Sequence, residues 1–400
     1  MNIRMLFLPL FVPALVQAQI AVHGETVYTM AGPPLKDAVV LIKGTSIERV
    51  GPASEVTIPA GYKVLTAKVV TPGLVDAHST VGLAGIFNVP HDQMQLEKSS
   101  PIQPELRAID AYNPKEDLVA WVRSLGVTTV HTGHGPGALM SGTTMVAKTS
   151  GETVNDVVVT PNLMVAFTMG SSVSRNFKSP GTRSKGVAML RQEFLKARDY
   201  LKKLENKDPE KRPARDLQLE MVADILRGNV KALVTAQTAP EIAAALRLQK
   251  EFGFSMVLDG AAEAYLLLDE IKAAGISVIL HPTMVRTGGD TKNASFTTAA
   301  VLRKAGVPFA LQSGFEGYVP KTRVILFEAA LTAANGLSIE EALRTITIDA
   351  AAILGLEKRV GSLERGKDAD LALFDGDPFE YTTRVCAVVI NGTVVSEMCR

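Results

Sequence analysis

The sequence predicts an α/β protein. A (β/α)8 barrel covers residues 69–357, and a small composite β-sandwich is assembled from residues 19–68 and 358–400. Three observations predict this. Between 69 and 355, apolar strand-like runs alternate with helix-period segments, the pattern of a parallel sheet. Both flanks read as short strands punctuated by Gly and Pro. The roughly 380 residues left after an N-terminal leader suit one barrel with an appendage better than an open sheet.

The leader is residues 1–18. Arg4 supplies a positive charge, and residues 5–16 form an apolar stretch too short to span a bilayer comfortably. Val16-Gln17-Ala18 offers a small-residue cleavage site, so the segment reads as a secretory signal peptide. An uncleaved anchor is the alternative. The mature protein is expected to be periplasmic or secreted, with no membrane partner once the leader is cut. Lys and Arg number 42 against 41 Asp and Glu in the full chain, and Arg4 leaves with the leader. A balanced charge excludes nucleic acid as an expected partner.

In the first flank, Ala38-Val39-Val40-Leu41-Ile42 is a strand, and a turn containing Gly44 leads to a second at 46–50. Barrel strands are expected at 127–131, 143–148, 230–234, 255–258, 276–280 and 308–311. Helices are expected at 239–251, 262–274, 296–305 and 321–335. Ala239-Pro240-Glu241 places Pro and an acid in a first turn. Residues 183–227, rich in Lys, Arg, Glu and Leu, read as one long helix plus a second outside the barrel. In the last flank, 370–374 is a strand, and 385–390 pairs with 393–397 through Asn391-Gly392, the strongest two-residue hairpin signal. The only cysteines, Cys386 and Cys399, fall on one face of that hairpin as diagonal neighbours, near bonding range.

The first barrel strand carries the chemistry. Val70-Thr71-Pro72-Gly73-Leu74-Val75-Asp76-Ala77-His78-Ser79-Thr80 reads as a buried strand running out into a metal-binding turn. Positions i and i+2 share one side, so a His-x-His there would aim two imidazoles at one metal. His78 fills the first position and Thr80 the second. His134-Gly135-Pro136-Gly137 is Gly-rich but lacks the ending of a phosphate loop, and no Gly-x-Ser-x-Gly elbow occurs.

Thr71-Pro72-Gly73-Leu74-Val75-Asp76-Ala77-His78 resembles the first-strand signature of the amidohydrolase superfamily. Thr347-Ile348-Asp349-Ala350-Ala351-Ala352-Ile353-Leu354-Gly355 resembles the helix that leaves its barrel. Gly361-Ser362-Leu363-Glu364-Arg365-Gly366-Lys367-Asp368-Ala369-Asp370-Leu371 resembles the return to its second domain, and Ile390-Asn391-Gly392 matches the closing hairpin. The motifs keep the superfamily's order across nearly the whole mature chain, and the exported, imidazolonepropionase-like branch is the most similar. The resemblance implies a metal-dependent-hydrolase barrel and hydrolysis of a C–N bond, in a cyclic or peptide-like amide, by a metal-activated water. It also implies a small-molecule substrate and, often, a homo-oligomer.

The resemblance places metal ligands at His-x-His after strand one, His after strands five and six, and Asp after strand eight. Here those positions hold His78, Thr80, Thr235, Asp259 and Ser313, with Gln237 beside the strand-five position. Only His78 and the carboxylate of Asp259 carry over. A divalent metal such as zinc is what the family pattern implies, and the replacements at Thr80, Thr235 and Ser313 weaken that implication; no other cofactor is expected. Lys148, ending the strand 143–148, is a candidate catalytic amine or bridging lysine. His131, His134 and His281 follow strand ends on the expected active-site face. They are candidates for substrate binding, and His78, His131 and His134 for a relocated metal site. The function expected is that of an exported hydrolase of C–N bonds with catalytic His78, Lys148 and Asp259. The alternative is a metal-free pseudoenzyme that binds a small ligand or a protein.

Overall fold

The computed structural model describes residues 19–87, 89–285, 288–315 and 325–397. The leader and Cys399 lie outside the described residues. Four strands open the chain: β1 (Gln19–Val27), β2 (Leu35–Lys43), β3 (Ser46–Pro52) and β4 (Lys63–Pro72). The barrel region holds β5 (Leu74–Ser79), β6 (Val127–Thr132), β7 (Met140–Thr143), β8 (Met145–Lys148), β9 (Val158–Thr160), β10 (Met164–Thr168), β11 (Lys231–Ala236), β12 (Met256–Gly260), β13 (Ser277–Leu280) and β14 (Phe309–Leu311). Three more close it: β15 (Leu371–Phe374), β16 (Val385–Ile390) and β17 (Thr393–Ser396).

The two ends of the chain build one continuous sheet in the order β17-β16-β15-β4-β1-β2-β3, rather than two separate layers. It curls upon itself. Ile42, Ile47, Leu373 and Val389, from distant strands of the sheet, share a single apolar core. The hairpin turns of its two halves also touch. Asn391 and Gly392 both have positive φ, and a Cβ on Gly392 would collide with the carbonyl of Gly44. Only glycine fits there.

In the barrel, β10 to β14 pair in parallel in sequence order, and β5 pairs in parallel with β6. Alternation decides the layers. Ala77, Met164, Leu233, Val257, Ile279 and Ala310 fill the interior, plugged by the helix Ile348–Ile353. Residues one step away, such as Val130, Val165, Val234, Leu258 and Leu280, pack outward against helices. The helix Ala239–Phe252 shows why these segments start and stop. Thr238 and Glu241 form a capping box, Pro240 sits in the first turn, and Gly253 in the left-handed region ends it. The helices Arg183–Leu204 and Leu217–Arg227 lie where a long helix and a second one are expected.

The third barrel position departs from the all-parallel expectation. β8 runs antiparallel to β6, and β7 antiparallel to β10. Together they form one bent strand, broken at Thr144 and reversed relative to both neighbours. Among the described residues, no helix is long and apolar enough to cross a membrane.

Candidate functional site

β5 delivers Asp76 and His78 to the mouth of the barrel, formed by the C-terminal ends of its parallel strands. Its register with β6 shifts between Asp76 and Ser79, so His78 leaves the simple alternation of Val75 and Ala77. His78 Nδ1 lies 3.0 Å from Asp259 Oδ1, and both side chains are buried. Asp259 also accepts from Thr235 Oγ1 at 2.6 Å and Gln312 Nε2 at 2.8 Å. Burial pushes the Asp259 carboxyl up, but electrostatic attraction to His78 and these three donors outweigh it and hold the group below the usual carboxylate range. A carboxylate only accepts, so the proton between the two sits on Nδ1 of His78. Nε2 is then left buried with no hydrogen-bond partner among the described residues. The Phe315 ring stands edge-on to the imidazole, centroids 4.5 Å apart.

Asp76 forms a second knot. Its Oδ2 accepts from Ser313 Oγ at 2.5 Å, and its Oδ1 accepts from the backbone N–H groups of Ser313 at 3.1 Å and His78 at 3.4 Å. Burial raises the Asp76 carboxyl to about 6 against these donors. Thr80 is buried in the turn after β5, where its carbonyl accepts from Leu83 and Ala84.

The strand-end positions thus satisfy each other. Ser313 donates to Asp76 and Thr235 to Asp259, so hydroxyl protons occupy carboxylate lone pairs that a cation would need. Among the described residues no group of three His, Cys, Asp or Glu side chains is placed to hold a metal ion. Among the described residues, His78 Nε2 and both ring nitrogens of His134 are buried without a hydrogen-bond partner. This donor set does not fit the divalent metal that the family pattern implies, and a relocated centre fares no better. His131 stacks on His78 with centroids 5.0 Å apart, but both its nitrogens are engaged. Nδ1–H donates to the Ala77 carbonyl at 2.5 Å, so Nε2 must accept from the Thr144 hydroxyl at 2.7 Å. Burial, followed by the neighbouring His78 charge, lowers its pKa to about 3. His134 is buried against Gly142, where a Cβ would meet its ring at 2.7 Å, and burial lowers its pKa to about 4.

Lys148 is not at this mouth. Because β8 runs in reverse, Lys148 pairs with Thr129 while Met145 pairs with Thr132 at the mouth end of β6. Three residues of strand put Lys148 about 10 Å deeper. There it is buried in ion pairs with Asp370 and, at 3.0 Å, Asp368. These acids belong to the return into the terminal sheet, so Lys148 joins barrel to sheet and carries no chemistry at the mouth.

His281 follows β13 and lines a cavity of about 320 Å3 beside the network, with Thr168, Thr235, Asp290, Gln312 and Phe315 among its other walls. Its Nδ1 lies 3.8 Å from Glu328, which accepts from the backbone and hydroxyl of Thr283. Sequence reasoning passed over Asp76, Gln312 and Phe315 as functional residues. An acid inside an apolar strand is a signal for Asp76. Phe315 has none, because only the fold lays it against His78.

A barrel with its polar side chains gathered at the strand ends, joined to a terminal β-rich sheet, defines a class of barrel hydrolases. Residues 196–396 match the sequence model of the amidohydrolase family, and the chain belongs to that family. A crystal structure of an amidohydrolase from Thermotoga maritima is 29% identical and superposes with a TM-score of 0.88 over 94% of this chain and 100% of that one. The imidazolonepropionase of Thermoplasma volcanium is 31% identical over 134 residues, 32% of each protein. An adenosine deaminase from Xanthomonas campestris with bound zinc shares the fold at 16% identity, with a TM-score of 0.55 over 96% of this chain and 94% of that one. Alignments with the first curated relatives span between 21% and 38% of those proteins' lengths.

Proposed function

We propose that this protein is a hydrolase of C–N bonds in small amides or peptide-like substrates, and that the His78–Asp259 pair does the acid–base work that a metal does elsewhere in the family. One observation carries the reading. A buried imidazole is fixed through Nδ1 by a carboxylate, which Thr235 and Gln312 anchor in turn, and its Nε2 is left open. That is how a general base is held in one tautomer and orientation. The substrate would occupy the cavity walled by His281, Gln312 and Phe315. His131 and His134, neutral at physiological pH, shape the wall behind His78 and take no ligand role.

A second reading is favoured by the closed hydrogen bonds of Asp76 with Ser313 and Asp259 with Thr235. In it the protein binds a small ligand, or a protein partner, without turning it over. The two readings separate in one assay. The mature protein is offered N-acyl amino acids, dipeptides and cyclic amides, beside His78→Gln. The hydrolase reading expects turnover that falls at least about 100-fold in the variant, the size typical of a lost general base. Binding without turnover in either protein supports the second reading.

The proposal extends to location and partners. Residues 1–18 direct export to the periplasm or beyond, and the partner is a small molecule rather than nucleic acid or membrane, with the chain as a homo-oligomer in keeping with its superfamily. N-terminal sequencing of exported protein tests the first point. A mature chain that begins at Met1 would refute it.

A further inference from the structure

A second, smaller cavity of about 180 Å3 opens beside the first and shares Thr168 and Gly170 with it. Its walls are apolar along Leu139, Met169, Val173 and Val187, and charged at Glu241 and Arg183. The helix Ala239–Phe252 brings in Glu241, which is only 5% exposed. Its carboxylate accepts from the backbone N–H groups of Gln237 at 3.0 Å and Thr238 at 3.1 Å. Among the described residues no ion pair balances its charge, and the charged group it feels most strongly is another acid, Asp290. A Cβ on Gly170 would lie 3.3 Å from Asp290 Oδ2 and 3.8 and 3.9 Å from the two Glu241 oxygens, so the glycine lets both carboxylates close over one spot. Burial first, and then Asp290, raise the Glu241 carboxyl above its ordinary range against its backbone donors.

The other charged wall is the start of the helix Arg183–Leu204. The N–H groups of Lys185 and Gly186 are held by Thr182, whereas those of Arg183 and Ser184 find no acceptor among the described residues. Open first-turn N–H groups and a guanidinium make a positive pole. A lone cation in this cavity would leave that pole unmatched, and a lone anion would face Glu241. A zwitterion matches both. At about 180 Å3 the cavity lies below the roughly 300–1,000 Å3 of sites for drug-sized ligands, which suits one small molecule.

We propose that this cavity binds one free amino acid with an aliphatic side chain, its ammonium on Glu241 and its carboxylate at the start of the helix Arg183–Leu204. The ammonium donates to the Glu241 carboxylate. The ligand carboxylate accepts from Arg183 and the open N–H groups, and the aliphatic chain lies on Leu139, Met169, Val173 and Val187. No bond forms or breaks, so the site stands or falls apart from the hydrolase reading.

The test is calorimetric titration of the mature full-length protein with L-leucine and two half-analogues, isoamylamine, which lacks the carboxylate, and isocaproate, which lacks the ammonium. Leucine should bind with a Kd of about 1 mM or tighter, and each half-analogue at least about tenfold more weakly, the size of a lost charge-assisted hydrogen bond. Glu241→Gln keeps the helix cap, since Gln serves at that position too. It should weaken leucine at least about tenfold and leave isocaproate no weaker. Arg183→Ala, at an exposed position, should weaken leucine and leave isoamylamine no weaker. Glu241 and Arg183 line this cavity and not the one beside His281, so the two variants tell the sites apart. Leucine that binds no tighter than its half-analogues, leucine binding untouched by either variant, or no binding up to about 10 mM overturns the proposal.

Discussion

At the scale of single residues, the site is decided by which groups donate and which accept. A metal needs open lone pairs, and here Ser313 and Thr235 supply protons to the two carboxylates that would offer them. Restoring one imidazole does not undo this. Thr80→His is expected to leave zinc affinity weak, because Thr235 and Ser313 still close Asp259 and Asp76. Calorimetric titration with zinc checks it, and a tight one-equivalent site in that single variant would show that the network opens readily. Gly142→Ala tests the packing of His134. A Cβ there meets the imidazole and the Leu106 carbonyl at 2.7 Å, at a φ of +123°. The variant should lose roughly 2–4 kcal/mol by strain and overpacking, read from denaturant midpoints.

At the scale of elements, the reversed strand at the third barrel position moves Lys148 away from the chemistry. Lys148→Met should leave Asp370 buried without its cation and cost about 3–5 kcal/mol of stability. Hydrolysis by whatever folded protein remains at low temperature should be unchanged. Lost activity at full stability would return Lys148 to the active site. The reversal was legible in principle. Seven residues, 133–139, separate β6 from β7, and a parallel crossover needs a dozen or more. Reading 143–148 as one more parallel strand ignored that length and put Lys148 at the wrong end. By contrast the motif through His78, the helix starting at Ala239 and the Asn391-Gly392 turn were readable, because local chemistry dictates each of them. The bonds of Asp76 to Ser313 and of His78 to Asp259 span 237 and 181 residues. Asp76 was passed over, but the positions of His78, Asp259 and Ser313 could be named from the sequence as family ligand sites. That they pair with each other could not, because strand-end convergence is a property of the closed barrel.

At the scale of the whole molecule, buried titratable groups set the acid limit. His131 and His134 have native pKa values of about 3 and 4, against an ordinary value near 6.5. The unfolded chain binds those protons first, so stability falls as pH drops below about 6.5 and continues to fall toward 3. Asp76 acts in the opposite sense. Its native value of about 6 lies above the ordinary 3.8, so its contribution is full below 3.8 and lost as pH rises through 6. Between pH 6 and 4 the two histidines outweigh the one acid, which leaves a net loss of roughly 1.4 kcal/mol per pH unit. Asp76→Asn should steepen that acid slope, because it removes the opposing group. Urea midpoints from pH 4 to 7 measure both. A slope that flattens in the variant would contradict the assignment.

The central claim is C–N bond hydrolysis by His78, Asp259 and their hydroxyl partners without the family's metal. The most direct measurement is amide turnover by the mature protein before and after exhaustive chelation, with bound metal quantified in the same samples. The account predicts less than about a tenth of an equivalent of zinc, manganese or iron, since no three His, Cys, Asp or Glu side chains among the described residues converge on one point, and an unchanged rate. Turnover that disappears with the chelator and returns with one equivalent of zinc would contradict it.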